Sequence, residues 1–218
     1  RDYFLKNLPN NDFSNSDFLE GITVYGHLNP VEDGKGVYIC FHGRLATQKG
    51  LSVLAKAINP LLNNFPFLRF VITGQGESEL ENTFMELAGK FDGRLIFLNG
   101  YNKICARLSV AACDFIALPS FFEPCGLEDF IAQIYGTIPV AHATGGLKKI
   151  VDKKTGFLFS PNTPESLTAK LSEVITIKTL SPSIIDEMIQ KAYRYVGKEY
   201  LWENVVKSKY LPLFESLL

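Results

Sequence analysis

The chain has 218 residues, of which 46% are apolar, 12% aromatic and 21% charged, enough for one sizeable domain with a true core. Its formal net charge of -1 excludes the basic field that nucleic acid or an anionic membrane surface demands, while leaving room for a local basic site. No apolar stretch reaches membrane-spanning length and no signal-peptide pattern opens the chain, which begins with Arg1 and is read as a piece of a longer protein.

Residues 1–35 carry turn and loop chemistry ("LPNNDFSNSDF", "NPVEDGKG") and are expected to be an irregular lead-in, with 36–218 forming a single domain. Beyond them, short β-rich runs alternate with segments of helical period. The predicted strands are Val37–Phe41, Arg69–Thr73, Leu95–Leu98, Phe115–Leu118, Ile138–Ala141 and Gly156–Phe159. Helices are predicted between them, near 50–64, 77–90, 102–112, 127–135 and 146–151, and three more follow at about 164–176, 182–197 and 202–217. The strands are continuous apolar runs, as expected where helices cover both faces of a parallel sheet. The prediction is a doubly wound α/β sheet of about six strands with closing C-terminal helices. The four cysteines, Cys40, Cys105, Cys113 and Cys125, match no zinc or redox spacing; the first three are expected to be buried thiols.

Ligands of an open parallel sheet bind beyond the carboxyl ends of its strands, so the loops there are the informative ones. After the first core strand stands "FHGRLATQKG", where Gly43 permits a close turn and Arg44 and Lys49 bring two cations to the start of a helix. Such a pair beside free helix amides makes an anion site, with Arg offering a planar fork and Lys a point charge. The second exit is "TGQGE", a glycine-rich turn of low specificity. The third is "NGYNK", where Tyr101 could stack on a base or be an ordinary half-buried aromatic. The fourth, "SFFEPCGLEDF", projects Glu123 and Cys125 and then opens a helix whose first amides, around Gly126, Leu127 and Glu128, lack partners within the helix. The fifth, "HATGGLKK", offers Thr144 as a helix cap and the amides of Gly145 and Gly146.

"GRLATQKG", "PSFFEPCGL", "YGTIPV" and "ATGGL", in this order and at these distances, resemble the C-terminal domain of bacterial glycogen synthases and plant starch synthases. Those enzymes are retaining glucosyltransferases with two facing Rossmann-like domains, the GT-B architecture. The resemblance covers roughly residues 20–215. It implies that Arg44 and Lys49 grip the diphosphate of a nucleotide sugar, that Tyr101 stacks on the base, and that Glu123 contacts the donor sugar with Cys125 near the same ring. It further implies that amides of Gly126, Leu127 and Glu128 receive phosphate oxygens, and that Gly43, Thr144, Gly145 and Gly146 line the cleft. The donor implied is ADP-glucose, with UDP-glucose as the alternative; the acceptor is an α-1,4-glucan, and no cofactor or metal is expected. The location implied is cytoplasmic, or plastidic in a plant.

Two positions depart from that family's pattern. Glu128 and Asp129 stand where a neutral Thr or Asn usually follows "PCGL", and Glu128 is expected to face solvent and offer the ligand only its amide. His142 stands where an arginine often precedes the Thr-Gly-Gly. The family's Lys-x-Gly-Gly motif, which belongs to the N-terminal domain, is absent here, so this chain alone is expected to bind donor weakly and transfer little. Two other readings remain open. One is a different nucleotide-sugar transferase of the same architecture, disfavoured because a second glutamate eight positions after Glu123 is replaced by Ile131. The other is a domain kept only for glucan binding or subunit contact.

Overall fold

The computed structural model describes residues 19–29, 31 and 35–217. Seven strands form one sheet in the order β1-β4-β3-β2-β5-β6-β7. They are β1 (Ile22–Leu28), β2 (Val37–His42), β3 (Leu68–Gly74), β4 (Arg94–Gly100), β5 (Phe115–Leu118), β6 (Ile138–His142) and β7 (Phe157–Phe159). From β2 to β7 all pairings are parallel, whereas β1 runs antiparallel along β4 at the edge. The sheet thus has one strand more than predicted. That strand lies inside the segment expected to be irregular. Its seven residues, "ITVYGHL", are half-buried or exposed except for Leu28 rather than a buried apolar run, because only one edge of the strand pairs, although Tyr25 packs on one face and Ile22, Val24 and Leu28 on the other. Residues 1–18 lie outside the described part.

Strands β2 to β5 are each followed by an α-helix: α1 (Leu51–Asn64), α2 (Ser78–Lys90), α3 (Lys103–Ala112) and α4 (Glu128–Tyr135). Then come α5 (Pro164–Leu180) and α6 (Pro182–Glu199), as the Pro at each helix start foretells. The helix expected near 146–151 is only a short 3-10 turn, Gly145–Lys149. Two adjacent glycines make a poor helix start. The tail is helical from Trp202 to Glu215 with a π turn at Val206–Tyr210, and Trp202, Tyr210, Leu213 and Phe214 in it stay exposed.

Successive strand residues point to opposite faces, and both faces are buried. Ile39, Phe41, Phe70, Ile72, Phe97, Phe115 and Val140 pack on one side with α1, α2, α5 and α6. On the other side Cys40, Val71, Ile96, Leu98, Ile116 and Ala141 pack with Cys105 and Val110 of α3 and Ala132 of α4. Cys40, Cys105 and Cys113 are buried and free, as expected, and Cys125 is exposed. No helix among the described residues is long and apolar enough to cross a membrane.

The order of strands reverses at β2. From β2 the chain winds outward through β3 and β4; it then returns to place β5 on β2's other side. Loops leaving β2 and β5 therefore diverge, opening a crevice at their carboxyl ends. Close backbone contact holds the two exits together. Gly50, at φ 68°, would place a Cβ 1.7 Å from the Pro119 carbonyl oxygen. Phe121 N–H donates to the Gln48 carbonyl at 2.9 Å.

A paired test follows. Gly50→Ala combines a left-handed backbone with a clash against main chain and is expected to cost more than about 1 kcal/mol in urea denaturation. Gly89→Ala, in α2 with nothing within 4 Å of the added methyl, is expected to gain about 0.5–1 kcal/mol. Equal effects of the two substitutions would show that the Gly50–Pro119 approach does not constrain the fold.

Candidate active site

The crevice at the β2/β5 reversal holds two adjoining cavities. The smaller, about 210 Å³, is lined by His42, Arg44, Lys49, Glu123, Gly126 and Glu128, among others. The larger, about 460 Å³, lies along the exits of β3 and β4 between Gly74, Gln75, Tyr101 and Asn102, and it shares His42, Gly43 and Arg44 with the first. Arg44 stands at the junction of the two.

The small cavity is a charged chamber built from two loops and a helix end. Lys49 Nζ donates to Glu123 Oε2 at 2.6 Å, bridging the β2 exit to the β5 exit. Ser120 Oγ donates to the same carboxylate oxygen at 3.3 Å. His42 ends β2, and its Nδ1–H donates to Glu128 Oε2 at 3.0 Å. A carboxylate can only accept here, which places the proton on Nδ1. Arg107 of α3 adds a cation 3.8 Å from the same oxygen. Burial opposes ionisation of Glu128, but the His42 hydrogen bond and the charges of His42, Arg107 and Lys49 outweigh it and hold the carboxyl below its ordinary range. The expectation that Glu128 faces solvent is therefore corrected: its side chain lines the cavity. The nearby cations and the His42 donor make the inward rotamer the favourable one.

Asp129, the next residue, is turned away from solvent altogether. Its carboxyl is fully buried, with Lys149 Nζ 3.0 Å from Oδ1. Desolvation pushes its pKa up to about 6 against the attraction of Lys149. Lys149 also donates to the carbonyl of Cys125 at 2.5 Å and to that of Gly126, and sits 3.9 Å from the Phe130 ring centroid. Because each peptide is planar and trans, tying those two carbonyls to Lys149 turns the N–H groups of Gly126 and Leu127 the opposite way. Leu127 caps α4 without a side-chain bond, while the backbone N–H groups of Asp129 and Phe130 serve the Asp129 carboxyl.

Other expected residues take structural parts. Cys125 is exposed and does not line either cavity; it meets Lys149 through its carbonyl rather than offering a thiol to a sugar. Gly145 and Gly146 do not bare both their amides, because Gly146 N–H donates to the Glu123 carbonyl at 2.7 Å. A Cβ on either would fall 2.1 Å from the carbonyl oxygen of Glu123 or Cys125, so their smallness lets the β6 exit pack under the β5 exit. Thr144 precedes the 3-10 turn without capping it, and donates instead to the Phe121 carbonyl at 3.2 Å. His142 donates from Nδ1 to the Ser120 carbonyl at 2.8 Å and stands 5.8 Å, ring to ring, from Phe159, as a brace of the same loop. Gly74 and Gly76 serve close contact with the β2 exit, where a Cβ would fall 1.9 Å and 2.0 Å from the carbonyl oxygens of Gly43 and Leu45. Tyr101 is 73% exposed, its ring available at the wall of the larger cavity.

Sequence reasoning missed His42 and Arg107. His42 carried a usable signal, since it is the last residue of a central strand and directly precedes Gly43. Arg107 carried none, because α3 reaches the site only through tertiary packing.

A doubly wound sheet with a cation-bearing crevice at its reversal defines a Rossmann-like α/β domain. The model of the family "Glycosyl transferases group 1" matches residues 36–176, and the chain belongs to that family as a C-terminal GT-B domain of the glycogen and starch synthase type. The glycogen synthase of Thermodesulfovibrio yellowstonii is 36% identical over 181 residues, which cover 83% of this chain and 35% of that protein. The chloroplastic/amyloplastic soluble starch synthase 1 of Solanum tuberosum is 34% identical over 177 residues, 76% of this chain and 27% of that protein. The chain spans about a third of the length of such relatives. The catalytic domain of starch synthase IV from Arabidopsis thaliana, solved bound to ADP and acarbose, shares the fold with a TM-score of 0.72 at 22% identity, over 87% of this chain and 39% of that one. The C-terminal domain of a group 1 glycosyl transferase from Francisella tularensis gives 0.65 at 23% identity, over 80% of this chain and 96% of that one.

The raised Asp129 carboxyl has a measurable consequence. Its folded pKa of about 6 exceeds the ordinary 3.8, so the folded state holds this proton more tightly. The stability it contributes is full below pH 4 and is lost as pH rises through about 6, a change on the order of 3 kcal/mol. Glu128, shifted the other way, contributes stability above its ordinary pKa that is lost as pH falls. Denaturant titrations between pH 4 and 7 are expected to show a decline in wild type that is flattened in Asp129→Asn; identical slopes would count against the assignment.

Proposed function

We propose that this chain is the donor-binding half of a retaining glucosyltransferase that moves glucose from ADP-glucose to the non-reducing end of an α-1,4-glucan. The observation that carries the reading is the convergence of Arg44, Lys49, Glu123 and the start of α4 at Gly126–Glu128 on one small cavity, beside a larger one walled by Tyr101. A nucleotide sugar has that division of parts: a base and ribose along the β3 and β4 exits, and a diphosphate and sugar at the β2/β5 crevice.

The chemistry follows from charge. When the glycosidic bond to the nucleotide breaks, negative charge grows on the departing diphosphate, and preorganised cations and amides aimed at it lower the barrier. Arg44 supplies a fork for two phosphate oxygens, Lys49 a point charge, and the α4 N-terminus a partial positive charge. No metal is required in this scheme, since two cations and a helix dipole carry the leaving group. Glu123, held between Lys49 and Ser120, is oriented to accept from sugar hydroxyls. The acceptor surface and the remaining catalytic groups fall to the part of the enzyme beyond this chain. UDP-glucose is the alternative donor. The HepE protein of Anabaena, solved with UDP-glucose, has the same fold at a TM-score of 0.65.

Calorimetric titration of the chain with ADP and with UDP tests the reading. Binding of one that weakens at least tenfold in Arg44→Ala is expected; a folded protein that binds neither would remove it. In the complete enzyme, Arg44→Ala or Lys49→Ala is expected to lower kcat/KM by roughly 10²–10³-fold, the scale of losing one preorganised charge partner. Near-normal transfer by either variant would strip that residue of its diphosphate role.

A further inference from the structure

The small cavity has an unusual charge balance for an anion site. Of its two close cations, Lys49 is spent on Glu123 at 2.6 Å. Arg44 makes no ion pair among the described residues. Opposite stands Glu128, facing His42 at 3.0 Å and Arg107 at 3.8 Å, with Lys49 also acting on it. Asp129 lies behind the wall, fully buried and faced by Lys149. Besides the Lys49-paired Glu123, Glu128 therefore adds a second fixed carboxylate to the chamber in which a phosphate is to be held.

We propose that Glu128 is a specificity-determining residue, turning this site toward the esterified phosphate of a nucleotide sugar and away from the terminal phosphate of the free nucleoside diphosphate. The proposal rests on the donor-binding reading above and deepens it. The two ligands differ at the phosphate that carries the sugar. In the free diphosphate that group has a second ionisation near pH 6 and bears about -1.5 to -2 at pH 7, whereas esterification to the sugar leaves it about -1. Each additional ligand charge meets the negative potential of Glu128 once more, at a cost that is greater in a half-buried crevice than in open water. The carboxylate lowers affinity for both, and lowers it more for the diphosphate. Held by His42, it cannot swing away as a free surface acid would. The functional result is easier release of the diphosphate product, set against part of the leaving-group stabilisation that Arg44 and Lys49 supply.

The test compares wild type with Glu128→Gln, which keeps the shape and the acceptor for His42 while removing the charge. Glu128→Thr serves as a second variant should the first fail to fold, and thermal unfolding checks both. The 218-residue chain is titrated calorimetrically with ADP and with ADP-glucose, and likewise with UDP and UDP-glucose. The quantity read is the ratio of the Kd for the free diphosphate to that for the matching nucleotide sugar. That ratio is expected to fall about tenfold on removing the charge, with the diphosphate gaining most. A general change of shape would not move the ratio in that direction. Equal gains for both ligands would make Glu128 an unselective competitor and overturn the proposal. Unchanged affinities would also overturn it, leaving the donor reading intact if wild-type binding is still lost in Arg44→Ala. No binding of any of the four ligands to wild type or either variant would overturn the donor reading, and this inference with it.

Discussion

Everything at this site depends on a reversal in the middle of the sheet. β2 pairs with β3 on one side and β5 on the other, and the connections to the two lie on opposite sides of it. The loops leaving β2 and β5 cannot both cross the same space, so they part and leave a crevice between them. Two main-chain contacts keep that crevice narrow. Gly50 lies against the Pro119 carbonyl, and Phe121 N–H reaches the Gln48 carbonyl. The Lys49–Glu123 pair spans the same gap with side chains. A wider gap would put Arg44 and Lys49 out of register with the first turn of α4, and the charges would no longer act on one group.

The loop from Ser120 to Glu128 is braced from beneath by three separate devices. His142 holds the Ser120 carbonyl, Gly146 holds that of Glu123, and Lys149 holds those of Cys125 and Gly126. All three consume carbonyl oxygens. Because the carbonyl and the following N–H of a peptide point in opposite directions, a loop whose carbonyls are tied down on one side presents its amides on the other. The β6 exit, with its Thr-Gly-Gly run, therefore acts less as a wall of the site than as the support that orients its wall. Rigidity of this kind is what an anion site needs, since the donors must be in place before charge develops.

The acidic pair at the start of α4 shows how adjacent residues of like charge take opposite parts. Glu128 faces a histidine and two cations across the crevice and stays ionised below its usual range. Asp129, one residue on, is sealed under the loop against a single lysine and holds its proton to about pH 6. Both acids sit where a helix dipole favours negative charge. Their surroundings, not their place in the helix, decide which loses its proton first as pH rises.

Much of the fold was legible in the amino-acid sequence. The apolar runs at 37–41, 115–118 and 138–141 and the helical periods between them marked the parallel core, because a strand buried on both faces must be apolar throughout. The motifs at Arg44, Lys49 and Glu123 marked the crevice, since ligand-binding loops follow strand ends. The edge strand Ile22–Leu28 escaped notice because a strand paired along one edge and only half-buried over most of its length carries no such run. Three assignments needed the tertiary structure. Arg107 enters the site from a helix far along the chain. The glycines at 145 and 146 serve a close approach that only the folded backbone defines. And the inward turn of Glu128 depends on His42, which lies 86 residues away in sequence and beside it in space. Periodicity and local motifs follow from the chain's own geometry, whereas the direction a charged side chain takes is set by the field of groups that folding brings near it.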